Sequence, residues 1–73
     1  MSKIIKVGVT EARITARNIH SEQHMLFEVD YLCDGEEVDF ERLQVSEGWS
    51  DRTVGAHATA MIELFDRLNK HSD

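Results

Sequence analysis

Residues 26–45, LFEVDYLCDGEEVDFERLQV, contain two alternating segments on either side of the dipeptide Asp34-Gly35. Asp-Gly favours a type I′ turn, because both central residues of that turn need a positive φ, and the stretch therefore predicts a two-residue β-hairpin. With the loop centred on this dipeptide, Tyr31 faces Val38 and Val29 faces Phe40. The predicted apolar face of the hairpin consists of Phe27, Val29, Tyr31, Cys33, Val38 and Phe40.

The same register predicts an acidic face on the other side of the hairpin. Glu28 lies opposite Glu41, and Asp30 lies opposite Asp39. We call the full set the acidic ladder: Glu28, Asp30, Glu37, Asp39 and Glu41. Like charges directly opposite each other are destabilising. We therefore expect either that a neighbouring strand neutralises the ladder or that a cationic partner binds it.

Length and composition indicate one small soluble domain. The chain has 73 residues, of which 41% are hydrophobic and 30% are charged, as in globular rather than disordered proteins. It contains neither an apolar run of about 18 residues, as a membrane span needs, nor a signal-peptide pattern. The single Cys33 cannot form an internal disulfide. We expect a cytoplasmic protein with no membrane contact.

The net charge of −6 is distributed unevenly. Residues 1–24 contain four basic and two acidic residues, a net charge of +2, whereas residues 25–73 contain four basic and twelve acidic residues, a net charge of −8. An acidic surface attracts basic partners and repels nucleic acid, whose affinity for proteins comes largely from phosphate neutralisation. We therefore expect a basic protein surface as partner and no direct binding of nucleic acid.

The residues before the hairpin predict further strands, at about 3–9 and 12–19. The apolar parity changes between Val9 and Ala12, so either one long strand bends through a bulge or a turn at Thr10-Glu11 separates two strands. Because Thr-Glu is poor turn chemistry, the bent strand is favoured. Residues 20–24 predict the next loop.

Strand 12–19 is expected to pair with strand 25–33. A register that matches both faces places Ile14 opposite Tyr31 and Arg17 opposite Glu28. In that register the remaining opposed pairs are Ala16 with Val29 and Thr15 with Asp30. Arg13 and Arg17 would then neutralise part of the acidic ladder, at about 0–1 kcal/mol for each exposed pair.

The last predicted strand, about 37–45, loses its alternation after Phe40. Leu43 and Val45 have the parity of the acidic face. Either a bulge near Glu41-Arg42 returns both side chains to the core, or Leu43 and Leu26 form an exposed apolar patch that serves as a contact surface.

A helix is predicted over about 51–70, with Ser50 as N-cap and Asp51 in the first turn. Its apolar residues are spaced 4-3-4-3, with Ile62 and Leu64 at the side: Val54, Ala58, Met61, Phe65 and Leu68. The opposite, polar side is expected to hold Thr59, Glu63, Asp66, Arg67 and Lys70. The apolar stripe either covers the sheet alone or also packs against a second copy, which would give a homodimer.

Motifs for catalysis or metal binding are absent from the sequence. His20, Glu22 and His24 alternate, but His57, His71 and Cys33 complete no zinc-ligand spacing. Cys33 has no Cys-His signature and is expected to be a half-buried structural thiol. We therefore expect no enzyme activity, metal or cofactor. Trp49 either contributes to partner binding or packs the helix against the sheet.

Taken together, these patterns predict an α+β domain, with an antiparallel meander of three or four strands and one C-terminal helix on its apolar face. The expected function is non-enzymatic docking of the acidic face onto a basic protein surface, with Leu26, Leu43 and Trp49 at its margin. In size and charge the chain is similar to phage-encoded inhibitors of host machinery, including anti-CRISPR proteins. This resemblance implies an inhibitor that blocks a nucleic-acid-binding site. The alternative is an assembly subunit that forms homo-oligomers through the helix.

Overall fold

Four antiparallel strands and one C-terminal helix make up residues 2–18 and 25–70, the part of the chain that the computed structural model describes. The elements are β1 (Ser2–Val7), β2 (Thr10–Asn18), β3 (Met25–Cys33), β4 (Glu36–Gln44), a short 3-10 turn (Val45–Glu47) and α1 (Asp51–Lys70). The strands lie in the order β1-β2-β3-β4. This is the predicted α+β meander, with four strands rather than three.

The hairpin at Asp34-Gly35 forms as predicted. Asp34 has φ 53° and Gly35 has φ 84°, the pair of positive angles that a type I′ turn requires. Next to the turn, Cys33 faces Glu36 and Leu32 faces Glu37, as the predicted register has it. The pairing then shifts by one residue between Leu32 and Tyr31, because β4 contains a β-bulge there.

The bulge makes the predicted register wrong for most of the hairpin. Val38 is the extra residue, so Tyr31 faces Asp39 instead of Val38. Glu28 faces Arg42 instead of Glu41, and Asp30 faces Phe40 instead of Asp39. A shift of one residue moves each β4 side chain to the other face of the sheet.

Burial of Leu43 explains why the shifted register is stable. Leu43 faces Phe27 and is only 8% exposed, whereas Phe40 moves to the outer face of the sheet and is 41% exposed. A bulge returns Leu43 to the core, as predicted. The bulge is at Val38, however, and not near Glu41-Arg42. Val45 is in the 3-10 turn and exposed, so the expectation that it joins the core is wrong.

The N-terminal residues form a hairpin and not one bent strand. The turn is Gly8-Val9 rather than Thr10-Glu11, and Val7 faces Thr10. Gly8 has φ 60°, as expected of the first central residue of a type II′ turn. Glycine therefore supplied the turn chemistry that Thr10-Glu11 lacks.

Strands β2 and β3 pair two residues away from the predicted register. Ile14 faces Val29 instead of Tyr31, and Thr15 faces Glu28 instead of Asp30. A shift of two residues keeps every side chain on its predicted face, because the side-chain period of a strand is two. Alternation alone therefore could not separate the two registers.

Helix α1 begins and ends at the predicted residues. The Ser50 hydroxyl accepts a hydrogen bond from the Thr53 N–H at 3.3 Å, and the Thr53 hydroxyl accepts one from the Ser50 N–H at 2.7 Å. This reciprocal pair resembles a capping box.

The buried side of α1 differs in part from the predicted stripe. It is a row at intervals of four: Val54, Ala58, Ile62 and Asp66. Asp66 was expected on the polar side but is 6% exposed, and Leu68 was expected in the stripe but is 58% exposed. The helix is rotated toward β1 because Asp66 packs beneath Gly8. A Cβ at Gly8 would lie 2.6 Å from an Asp66 carboxylate oxygen.

Helix α1 lies across β1, β2 and β3. The core between helix and sheet contains Ala12, Ile14, Phe27, Val29, Tyr31, Leu43, Val54, Ala58 and Ile62. Strand β4 is one edge of the sheet and extends beyond this cover, with residues 36–40 all exposed. In residues 2–18 and 25–70, no helix has the length and apolarity needed to cross a membrane.

Candidate protein-binding surface

The outer face of the sheet, on the side away from α1, is balanced in charge and is not the expected acidic surface. The cross-strand rows place Lys6 beside Glu11, Arg13 beside Asp30, and Arg42 beside Glu28. In the described strands this face carries four cations and four carboxylates: Lys6, Arg13, Arg17 and Arg42 with Glu11, Glu28, Asp30 and Glu37. The acidic ladder therefore does not exist as one surface.

Glu28 shows how the outer face is neutralised. Its carboxylate contacts the guanidinium of Arg17 at 2.7 Å and that of Arg42 at 3.6 Å. Arg13 pairs with Glu11 at 2.5 Å on the same strand, and this hydrogen bond raises the pKa of the Arg13 guanidinium. Arg42 was not among the predicted neutralising residues, because the bulge that places it there was assigned to the wrong position.

Four exposed carboxylates lie in the β3–β4 turn and the first half of β4, with Glu37 on the outer face of the sheet and Glu36 and Asp39 on the helix side. We call them the β4 acidic cluster: Asp34, Glu36, Glu37 and Asp39. All four are exposed, and none takes part in an ion pair with a described residue. Glu37 and Asp39 come from the predicted ladder, and the Asp39 carboxylate accepts a hydrogen bond from the Phe40 N–H at 2.8 Å.

The Glu37 carboxyl lies beside that of Asp30 on the outer face. Its hydrogen bond with the Asp30 carboxyl raises the pKa of Glu37, and partial desolvation and the negative charge of Asp30 raise it further. A neighbouring carboxylate raises a pKa in this way because it disfavours the charged form. The pair of carboxyls therefore favours retention of a proton on Glu37.

Glu41, the fifth residue of the predicted ladder, lies on the helix side of the sheet in a polar network. The Tyr31 hydroxyl donates a hydrogen bond to its carboxylate at 2.5 Å, and His57 Nε2 lies 2.9 Å from the same oxygen. Burial raises the pKa of the Tyr31 phenol, and the bond to Glu41 raises it further. Glu41 therefore joins β4 to β3 and α1 and is not free to meet a partner.

Leu26 and Leu43 do not form the expected patch. Leu26 is half-buried on the outer face, opposite Gln44. Leu43 is buried on the other face of the sheet, in the core beneath α1. Trp49 is half-buried against the core, and its ring lies 5.0 Å from that of His57 at an angle of 61°. Trp49 therefore packs α1 against the sheet, and its role in binding stays a prediction.

An apolar groove opens between β4 and the C-terminal half of α1. We call it the α1–β4 groove; it has a volume of about 270 Å³ and is lined mainly by Cys33, Val38, Phe65 and Leu68. Val38 and Leu68 are 51% and 58% exposed. The groove exists because the bulge turns Val38 toward the helix and because α1 does not cover β4. The alternation pattern does not predict the groove, although the loss of alternation after Phe40 indicates a bulge.

The other predicted candidates are not assembled into a reactive site within the described ranges. Cys33 is a half-buried free thiol, as expected, and accepts a long contact of 3.9 Å from the Thr10 hydroxyl. No three side chains of His, Cys, Asp or Glu in residues 2–18 and 25–70 converge as metal ligands would. His20, Glu22, His24 and His71 lie outside the described residues.

Comparisons of the chain with protein families, with curated proteins and with solved structures gave no match.

Proposed function

We propose that this chain is a non-enzymatic protein-binding domain that presents the β4 acidic cluster to a basic surface of a protein partner. The observation that carries the proposal is the separation of charge within the sheet. The outer face has equal numbers of cations and carboxylates, Glu37 included, whereas Asp34, Glu36 and Asp39 add negative charge at the turn and on the helix side of β4 and form no ion pair with a described residue. Uncompensated charge of one sign attracts and orients a partner of the opposite sign.

One form of such a protein is an inhibitor that occupies the nucleic-acid-binding site of its target. Sites that bind phosphate are rich in Lys and Arg, and carboxylates on a rigid hairpin offer them matching charges. The proposed location is the cytoplasm, in agreement with the free thiol of Cys33.

The test uses immobilised poly-lysine as a basic probe. The triple variant Glu36→Gln, Glu37→Gln, Asp39→Asn removes three charges from the β4 acidic cluster. The control variant Glu47→Gln, Asp51→Asn, Glu63→Gln removes the same number of exposed charges elsewhere and leaves the ion pairs of the outer face intact. We expect the first variant to bind roughly tenfold more weakly than the control and to show a smaller dependence on salt. Equal losses in the two variants would show that only net charge matters and would overturn the proposal.

The same two variants also test binding to the natural partner protein. After affinity capture from the native host, the captured protein is purified and its dissociation constant is measured with each variant. We expect selective loss of affinity for the variant of the β4 acidic cluster. A partner that binds this variant as tightly as the unaltered protein contradicts the proposal.

A further inference from the structure

Strand β4 is an edge strand of the described sheet, and one of its N–H groups, that of Phe40, is hydrogen-bonded to the Asp39 carboxylate at 2.8 Å. It is nine residues long, and its neighbour β3 lies on one side only. In an antiparallel ladder, every second residue directs its N–H and C=O away from the neighbouring strand. Since α1 lies over β1, β2 and β3, the helix does not obstruct the approach of another strand to β4.

The charges on β4 determine which strand fits. Glu36, Glu37 and Asp39 are exposed along the half of the strand next to the turn. Directly opposed like charges destabilise a strand pair and opposite charges stabilise it. In an antiparallel pair centred on Phe40, a second β4 would place Asp39 opposite Glu41, whereas a strand containing lysine or arginine would complement the acidic residues. Charge therefore selects a basic strand and disfavours self-pairing of this edge.

The α1–β4 groove supplies a place for an apolar side chain of the added strand. Its volume of about 270 Å³ lies just below the range of small-molecule sites, which occupy about 300–1,000 Å³. Val38 brings the groove directly beside the open backbone of β4. Strand addition of this type obtains its affinity from main-chain hydrogen bonds and its specificity from pockets for alternate side chains.

We propose that β4 accepts an extended Lys/Arg-rich segment of a partner protein as a fifth strand, with an apolar side chain of that segment in the α1–β4 groove. The inference rests on the proposed function and adds how the partner binds. It combines the open edge, the acidic side chains beside it and the exposed apolar groove.

The binding experiment uses calorimetry and the synthetic peptide acetyl-Lys-Lys-Val-Leu-Lys-Lys-Val-amide, which carries lysines on both faces of an added strand. Two control peptides have glutamate in place of every lysine, or proline in place of the central leucine. We expect both to bind roughly tenfold more weakly, because the first reverses the charge and the second removes a strand N–H and the side chain for the groove. Equal binding of the lysine and proline peptides overturns strand addition but leaves the proposed function intact, since that function requires only charge.

A pair of variants tests the groove. Leu68 and Ile4 are both 58% exposed, the first at the groove and the second on β1. We expect Leu68→Glu to weaken binding of the lysine peptide by roughly tenfold and Ile4→Glu to leave it nearly unchanged. A loss confined to Ile4→Glu would place the peptide at β1 and contradict the proposal.

Amide hydrogen exchange locates the added strand directly. With the lysine peptide bound, we expect slower exchange in residues 36–42 and unchanged exchange in β1. Sedimentation without peptide tests the alternative occupant, a second copy whose β1 carries Lys3 and Lys6. Concentration-dependent association that Lys3→Glu and Lys6→Glu abolish would assign the edge to self-assembly and overturn the proposal. A monomeric protein whose β4 amides exchange more slowly with the peptide bound supports the proposal.

Discussion

The Tyr31 hydroxyl donates a hydrogen bond of 2.5 Å to the Glu41 carboxylate, and this bond crosses from a fully buried residue on β3 to the open edge strand β4. Glu41 also contacts His57 of α1 at 2.9 Å. Because α1 otherwise lies over β1, β2 and β3, this network is a principal link between the helix and β4. Pairing with β3 holds β4 in the sheet, and Glu41 adds a polar link from β4 to α1.

Removal of the Tyr31 hydroxyl tests this link. Tyr31→Phe keeps the ring, which packs edge-to-face against Phe65 at 5.5 Å, but leaves Glu41 without its hydroxyl donor. We expect the free energy of unfolding to fall by about 1–3 kcal/mol in urea denaturation, since Glu41 is only partly exposed. Glu41→Gln retains an oxygen acceptor and should cost less. A Tyr31→Phe protein as stable as the original would contradict the role of this bond.

The close approach of Gly8 and Asp66 predicts a large difference between two glycine substitutions. Gly8→Ala strains a backbone with φ 60° and also places a Cβ 2.6 Å from the Asp66 carboxylate. Gly35→Ala strains a backbone with φ 84° but meets no atom within 4 Å. Both should lose about 1 kcal/mol or more from backbone strain, and Gly8→Ala should lose more. Equal losses in thermal denaturation would exclude a packing role for Asp66.

The raised pKa of Glu37 predicts a specific dependence of stability on pH. The native state retains the Glu37 proton above the ordinary glutamate value of 4.5, whereas the unfolded chain has lost it. The contribution of Glu37 to stability therefore falls as the pH rises from that value through the raised pKa.

Glu37→Gln should consequently be more stable than the unaltered protein at pH 7, and the difference should shrink as the pH falls below 4.5. Glu36→Gln serves as control, because Glu36 lies opposite Cys33 on the helix side of the sheet, whereas Glu37 and Asp30 are both on the outer face. Chemical denaturation at several pH values measures both variants. If the extra stability of Glu37→Gln increased as the pH fell, the predicted effect of the raised Glu37 pKa would be contradicted.

Deletion of Val38 tests the bulge. Without this residue, continuous pairing from the Asp34-Gly35 turn keeps Tyr31 opposite Asp39 and Leu43 opposite Phe27, so Leu43 stays buried. We expect the free energy of unfolding to change by about 1 kcal/mol or less, since Val38 is 51% exposed. Insertion of one alanine after Val38 should instead cost about 2–5 kcal/mol, as for other removals of a buried leucine, because it would move Leu43 to the outer face. Cross-strand nuclear Overhauser contacts distinguish the Glu28–Arg42 pair expected in the deletion variant from the Glu28–Glu41 pair expected in the insertion variant. A deletion as costly as the insertion would contradict the position of the bulge.

Local chemistry predicted the elements of this fold better than their pairing. Asp34-Gly35 specifies its turn through positive φ, and Ser50 specifies the start of α1 through its hydroxyl, so both could be predicted from a few residues. The position of the bulge depends on a balance between burial of Leu43 and exposure of Phe40, which only the assembled sheet determines. The acidic ladder failed for this reason, since one extra residue at Val38 reversed the faces of Asp39 and Glu41.

The β2–β3 register and the environment of Asp66 show two further limits. Alternation cannot distinguish Ile14 opposite Val29 from Ile14 opposite Tyr31, because both registers bury the same face. The 4-3-4-3 spacing located α1 but not its rotation, which Gly8 permits by leaving room for a carboxylate. Each of these details arises from contacts between elements that are far apart in the sequence.

The charge distribution across the sheet gives the molecule a transverse dipole moment. Lys3 and Lys6 lie on β1, whereas the β4 acidic cluster lies at the opposite edge. A positively charged body approaching through solution would exert a torque on this dipole and rotate the molecule before touching it. The molecule would therefore arrive with β4 in front, and a larger fraction of collisions would be productive than for a uniformly charged particle of the same size.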